Sequence, residues 1–442
     1  MFILKFGGTS VGSAQRMREV LEIITRDHEQ KIVVLSAMSG TTNALVGICE
    51  HLYRGDKTAG RQAIQALHDQ YDQVRHDLFS DAALLATAKD IIDTEFQTIS
   101  SCVIDGFGTR QEKTILAAGE LLSTQLFHLL AQSEGVDVGY LPALDFMRID
   151  EKGEPFLERT TVLLNQTLES LGTHKIYITQ GYICRNHWEE IDNLQRGGSD
   201  YTATILGAVV KSMEIQIWTD IDGVHNNDPR LVDDTAPIRN LSYREAAELA
   251  YFGAKILHPT CVLPAEKMQV PLRLKYTMEP DAPGTLISSE ISNRPITAIA
   301  AKDGITAINI YSHRMLMAYG FLKKVFQVFE DHKTPVDMIT TSEVAVSLTI
   351  DDSTRLDRIL EDVGHFAEIE ATEGYSIICI VGNDLFNETV YVERIFASLR
   401  DIPVRMVSMG GSKYNISLLI KTEHKKQALI ALNEVFATNP VG

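Results

Sequence analysis

Cysteine is scarce and unpatterned in this chain. Cys49, Cys102, Cys184, Cys261 and Cys379 are odd in number, widely spaced and without a CxxC pair, which suggests neither a disulfide framework nor a cysteine zinc site and points to a reducing compartment. Basic charge is short as well. Forty-one Lys and Arg stand against 59 Asp and Glu, a formal charge of −18, which argues against nucleic acid or an anionic membrane as main partner. A small anionic substrate stays open, since a local basic cluster suffices for it. No stretch is expected to approach the length of a membrane span, and Lys5 follows only four residues, with no apolar signal region. A cytoplasmic protein is expected. Hydrophobic residues at 45% and charged residues at 23% of 442 residues fit a soluble globular chain of two or three domains.

Two glycine pairs stand at strand-to-helix junctions. The run Met1–Leu4 is a strand candidate, Lys5-Phe6-Gly7-Gly8-Thr9-Ser10-Val11 follows it, and Met17, Val20, Leu21 and Ile24 then recur at helical spacing. Gly7 and Gly8 let backbone approach an anion closely, helix N–H groups point outward there, and Lys5 adds a charge. The spacing is neither that of a P-loop nor GxGxxG, and a plain turn accounts for it equally. The second pair lies in Arg196-Gly197-Gly198-Ser199-Asp200-Tyr201, before a helix through Ile205, Leu206 and Val209. Ser199 or Asp200 either caps that helix or belongs to a site where Arg196 grips a carboxylate or phosphate. Two such turns strengthen the anion reading of each.

Other strand ends carry polar groups. Ile32–Leu35 ends at Ser36, and Ser39-Gly40-Thr41-Thr42-Asn43 leads into a helix; these groups cap it or line a crevice of an open parallel sheet. Residues 60–132 are expected to be almost wholly helical. Within them Glu120 sits among apolar neighbours, so it is either solvated at the helix surface or in need of a cation. Val136–Leu141 and Lys175–Ile178 are strand candidates, Phe146–Arg159 an exposed hairpin between them, and Tyr182 follows Gln180-Gly181. Ile215–Trp218 ends at Thr219-Asp220, and the chain runs on to Asn227-Asp228-Pro229-Arg230, either ordinary turns or a nucleotide rim. Gly253-Ala254-Lys255 offers another cation. His258, beside Pro259, is expected to be structural.

Past the loop Glu279–Thr285 the texture changes. Strand, helix, strand, strand, helix occurs once from Ile305 and again from Tyr375, with Val336 and Val404 as corresponding points about seventy residues apart.

The set KFGGTSV at Lys5–Val11, RGGSDYTA at Arg196–Ala203, WTDIDG at Trp218–Gly223, DPR at Asp228–Arg230 and FGAKILHP at Phe252–Pro259 resembles the monofunctional aspartate kinases of lysine-sensitive type over nearly the whole chain. The resemblance implies an α/β fold. An amino-acid-kinase α/β/α sandwich with a largely parallel central sheet is expected over 1–285. Two α+β ACT modules, βαββαβ and ferredoxin-like, follow at 286–370 and 371–442, with interleaving of their strands left open. It implies transfer of the ATP γ-phosphoryl group to the side-chain carboxylate of L-aspartate, with Mg²⁺ accompanying ATP.

By the same resemblance Lys5 and Asp200 are catalytic, and Ser36, Thr42, Glu120, Arg196 and Ser199 hold aspartate. Lys5, Gly7, Gly8, Thr219, Asp220, Arg230 and Lys255 meet ATP. No dedicated metal ligands are assigned; Mg²⁺ would bridge phosphates near Asp200. His225-Asn226 departs from the usual tyrosine and small hydroxyl residue, which leaves the adenine contacts open. The ACT pair implies a dimer or dimer of dimers and an amino-acid effector, lysine above all, near Met315, Phe321, Leu322, Val336, Asp337, Ser342 and Glu343. Ala318 stands where lysine-sensitive relatives can carry serine. Two rivals are a related kinase of another carboxylate and a silent amino-acid sensor, the latter disfavoured because Lys5, Arg196 and Asp200 are all present.

Overall fold

Alternation along the first strand decides the architecture of the catalytic half. In β1 (Phe2–Phe6) Leu4 and Phe6 face one side and Ile3 and Lys5 the other. The computed structural model describes residues 1–194, 197–253, 257–290, 295–312, 319–385, 387 and 389–437. It divides into two compact units, 1–223 with 257–289, and 224–256 with 290–442.

In the first unit β1 is followed by α1 (Ala14–Thr25), β2 (Lys31–Leu35), α2 (Thr41–Tyr53), α3 (Lys57–Leu78), α4 (Ala82–Ser101), α5 (Thr109–Ser133), β3 (Val138–Tyr140), α6 (Ala143–Phe146), α7 (Leu157–Leu171), β4 (Ile176–Gln180), the hairpin β5 (Ile183–Arg185) and β6 (Ile191–Asn193), α8 (Gly198–Val210) and β7 (Ile215–Thr219). After the excursion of β8 (Asn240–Ser242) and α9 (Tyr243–Tyr251) in the second unit, α10 (Pro259–Met268), β9 (Leu272–Tyr276) and β10 (Thr285–Ser288) complete it.

The sheet order is β3-β4-β2-β1-β7-β9-β10. The pairs from β3 to β9 are parallel, and β10 is antiparallel to β9. Leu4, Phe6, Val33, Leu35, Ile176 and Ile178 form one apolar face, which packs with buried side chains of α1 to α5; α8 covers the face to which Lys5 points. The result is an α/β/α sandwich with a largely parallel sheet, as the sequence implied. Chain order reverses at β1, with β2 on one side and β7 on the other, and such a reversal opens a crevice beyond the carboxyl ends of the strands.

Two expectations for this unit change. The 146–159 segment is not an exposed hairpin: Phe146, Met147 and Ile149 are buried, its internal pairing is one bridge between Ile149 and Pro155 around the turn at Asp150–Gly153, Arg148 bridges Arg185 of β5, and α7 begins at Leu157. Helix α5 is long and apolar enough to cross a membrane, contrary to the expectation that no stretch would be; 78% of its most apolar stretch is buried inside the protein, so its composition is that of a core helix.

The second unit is built on β11 (Ile296–Tyr311), α11 (Phe321–Asp331), β12 (Ile339–Thr341), β13 (Ala345–Ile350), α12 (Leu356–Gly364), β14 (Glu368–Gly382), α13 (Thr389–Ser398), β15 (Val404–Met409), β16 (Asn415–Lys421) and α14 (Lys425–Ala437). The sheet order β12-β13-β11-β14-β16-β15 is symmetric about the centre, which is how a repeat of about seventy residues appears in space. The modules are interleaved rather than divided at 370. Ile296 and Ile299 pack in one core with Ile378, Ile380, Ile395, Leu418 and Leu429, while Ile308 and Ile310 pack in another with Phe329, Leu348 and Ile359. Long β11 and β14 pair along their lengths with register shifts near Lys302–Ala307, so each strand serves both cores. The strand expected over Val336–Ile339 starts only at Ile339, because the Asp337 and Met338 N–H groups are taken by the Thr349 carbonyl and hydroxyl.

Candidate active site

Parallel register brings four strand ends together. The Ser36 N–H bonds to the Phe6 carbonyl, Gly181 to Leu35, and Phe6 stands opposite Trp218, so Gly7, Ser36, Gly181 and Thr219 follow directly at neighbouring ends. The Phe6 and Trp218 rings stack at 5.5 Å and 19° beneath them.

Lys5 and Asp200 meet here. Lys5 projects from β1 toward α8, whose first turn carries Asp200, and their Nζ–Oδ1 separation is 2.6 Å with side chains 11% and 16% exposed. The carboxylate also suits the positive end of that helix. Gly7 lies beside the ammonium. The loop after β1 is a turn in which the Ser10 and Val11 N–H groups reach the Gly7 carbonyl, and α1 starts only at Ala14, capped by Ser13. The first glycine pair therefore precedes a turn rather than the helix itself.

Two helix starts without side-chain caps border the crevice, those of α2 and α8. Their N-caps are Gly40 and Gly197, both left-handed and without a side-chain cap. Thr42, Ser199 and Asp200 thus do not cap; the Thr41 N–H at the start of α2 is taken by the Met38 carbonyl, and the N–H groups behind it and at the start of α8 face no side-chain cap, which suits an anion. Both helix starts border one cavity of about 280 Å³, whose walls include Gly8, Ser36, Gly40, Thr42, Glu120, Tyr182, Gly198 and Ser199. That size lies near the low end of the roughly 300–1,000 Å³ common for small-ligand sites.

Glu120 is buried rather than solvated. It is 4% exposed on α5, and its Oε2 has no hydrogen-bond partner among the described residues. Burial pushes its carboxyl up to about 8, against the opposing pull of the Ala37 N–H and the Lys5 charge. A buried carboxyl facing a cavity with two open helix starts provides for one cationic and one anionic group on the same small molecule.

Tyr182 was not among the residues expected at the site. It holds φ +66°, its N–H is fixed by the Thr202 hydroxyl at 3.0 Å, and it packs so closely on α8 that a Cβ on Gly198 would lie 2.4 Å from its ring. The local signal was only Gln180-Gly181 at a strand end; the left-handed backbone depends on α8 arriving from elsewhere.

The remaining expected nucleotide residues are dispersed or outside the description. Thr219 accepts from the Ile221 N–H through its hydroxyl, and Asp220 is exposed at the end of β7. Arg230 belongs to the second compact unit, is 80% exposed and pairs with Asp228 at 2.8 Å. His225 bonds to Thr235 at 3.0 Å. Arg196 and Lys255 lie outside the described residues. His258 caps α10, accepting the Thr260 N–H, in keeping with a structural part.

Among the expected effector residues, Phe321 is buried in a module core against Phe366, so its ring is not free to meet a ligand. Leu322 and Glu343 are exposed, Val336 is half-buried, and the Ser342 hydroxyl accepts the Ala345 N–H in the β12–β13 turn. Met315 and Ala318 lie outside the described residues.

A parallel sandwich with a basic group and open helix starts at its switch point defines a kinase of the amino acid kinase family, whose model matches residues 1–275; an ACT domain model matches 378–436. Within that family the chain belongs to the aspartokinases. Aspartokinase 2, chloroplastic, of Arabidopsis thaliana is 34% identical, over 98% of this chain and 84% of that protein. Lysine-sensitive aspartokinase 3 of Escherichia coli (strain K12) is 30% identical over 98% of each. Among solved structures, E. coli aspartokinase III in complex with aspartate and ADP (R-state) aligns with a TM-score of 0.86 at 30% identity, covering 99% of this chain and 100% of that one. The same protein with lysine and aspartate (T-state) aligns at 0.79 and 30% identity, over 98% and 99%.

Proposed function

We propose that this aspartokinase moves the γ-phosphoryl group of ATP onto the side-chain carboxylate of L-aspartate through charge placed by Lys5 and the two glycine turns. The product is 4-phospho-L-aspartate, the first intermediate toward lysine, threonine and methionine. The observation that carries the reading is the 2.6 Å Lys5–Asp200 pair beside a cavity with two open helix starts and a buried glutamate. A substrate carboxylate with a free pKa of about 3.9 is already ionised at neutral pH and needs no general base. The obstacle is repulsion between two anions, and phosphoryl transfer is catalysed mainly by positioning and charge stabilisation.

Each residue has a part in that task. Lys5 neutralises the transferring group, Asp200 orients the ammonium, and Gly7 and Gly8 give the phosphates close backbone approach. Glu120 takes the substrate ammonium, Arg196 its α-carboxylate, and Ser36, Thr42 and Ser199 orient the molecule. Thr219, Asp220, Arg230 and Lys255 serve the nucleotide. No group of three or more His, Cys, Asp or Glu is placed to hold a metal among the described residues. Mg²⁺ carried by nucleotide phosphates needs only one or two carboxylates, and Asp200 and Asp220 are those at the crevice. Such an ion supplies charge neutralisation on the phosphates.

The paired ACT modules fit feedback control by lysine, with Val336, Asp337, Ser342 and Glu343 nearest the effector, a dimer formed through these modules, and a cytoplasmic location. Hydroxylamine trapping of the acyl phosphate tests the reaction. ATP- and aspartate-dependent hydroxamate that disappears with lysine and persists with threonine supports the whole reading. Product from another carboxylate but not from aspartate overturns it.

A further inference from the structure

A charge cluster in the second unit joins four segments. The Lys302 ammonium on β11 lies 2.8 Å from Asp337 Oδ1 and 2.8 Å from Asp351 Oδ2. Tyr251, the last residue of α9, donates its hydroxyl to the same Asp337 Oδ1 at 3.0 Å, and its ring stands 4.6 Å from that ammonium. The Asp337 side chain is 1% exposed, and its Oδ2 has no hydrogen-bond partner among the described residues.

Two carboxylates and one ammonium leave this cluster one negative charge, and Asp337 is held where water cannot screen it. A buried charge of this kind is costly unless paired. An arriving ammonium at Oδ2 would bring the cluster to neutrality and satisfy the open oxygen. Lys302 already holds Oδ1, so Asp337 is presented with one oxygen engaged and the other open.

We propose that Lys302 presents Asp337 to the ammonium of the amino-acid effector, and that the Tyr251 hydroxyl on the same carboxylate relays this event to α9. The proposal rests on the reading of Asp337 as an effector residue given above, and adds the relay. Helix α9 can carry such a signal because it is anchored to the sheet: past its end Gly253, at φ +115°, approaches the Ala301 carbonyl so closely that a Cβ would lie 2.1 Å away. Six residues after Tyr251 the chain enters the first unit at Leu257. There His258 and Cys261 abut Gly197, where an added Cβ would lie 2.7 and 2.8 Å from them. Gly197 is the cap of α8, the helix that presents Ser199 and Asp200. The chain past Tyr251 thus leads, in sequence, to the residues that pack against the cap of α8.

The test uses the full-length protein, with lysine as probe. Tyr251→Phe keeps the ring and removes only the relay hydroxyl. It is expected to bind lysine in calorimetry as wild type does, while its inhibition midpoint rises by at least about fivefold, within the usual range of allosteric coupling. Asp337→Asn is expected to lose binding and inhibition together. Hydrogen exchange on the unaltered protein gives a second readout that needs no variant: lysine should change protection across Tyr243–Tyr251. Unchanged inhibition in Tyr251→Phe, its loss of lysine binding, or exchange in α9 indifferent to lysine would each overturn the relay. Wild type that neither binds nor responds to lysine overturns the effector reading itself, and the relay with it.

Discussion

In Glu120 burial and protonation are linked in one side chain. Its folded carboxyl is raised to about 8 from an ordinary 4.5, so between those values the folded state holds a proton that the unfolded chain has lost. Stability from this group therefore falls as pH rises through that window, and is lowest above it. Glu120→Gln is expected to melt above wild type at pH 9, with the gap closing toward pH 5; a constant gap in calorimetric scans would contradict the assignment. In the proposed contact the substrate ammonium favours the ionised form of Glu120, so KM for aspartate should fall as pH rises toward 8 and level beyond it, a dependence absent in Glu120→Gln. Sequence alone left Glu120 either solvated or paired, because the apolar residues around it on α5 do not say which face meets the sheet. The strand before the first glycine pair and the helix after the second were legible as local signals, whereas the turn that delays α1 to Ala14 was not.

Helix starts are the next scale. Both α2 and α8 begin at left-handed glycines without side-chain caps, and in the proposed reaction the N–H groups at these starts meet the anionic group of the substrate. The hydroxyls nearby were ambiguous in the sequence between caps and ligands, and only the backbone conformation resolves them. The seat of α8 depends on Gly198 lying against Tyr182. Gly198→Ala forces a 2.4 Å contact with that ring, and overpacking of this kind costs about 1–3 kcal/mol. KM for aspartate should rise at least about tenfold, the equivalent of about 1.4 kcal/mol, with a modest loss in melting temperature. An unchanged KM in steady-state assays would show that the contact does not shape the site. Tyr182 itself was missed because its positive φ is imposed by a helix that is distant in sequence.

At the scale of the molecule, the repeat was visible in the order of elements but its interleaving was not, since strand pairing between 296–302 and 377–382 is non-local. The second core contains Ile296 and Ile299 together with Ile378 and Leu418. A fragment of residues 371–442 should consequently fail to fold, whereas 295–442 should give dispersed amide resonances; a folded short fragment would contradict the shared core. The catalytic unit was more legible because its parallel sheet follows from alternating local strand and helix patterns. In the proposed reaction Lys5 supplies charge to the transferring phosphoryl group. The most direct measurement is turnover of Lys5→Met by hydroxamate trapping, with aspartate affinity and melting temperature recorded alongside. Loss of kcat by at least about 10²–10³, with aspartate still bound and the fold retained, is the predicted result. Turnover close to wild type would contradict it.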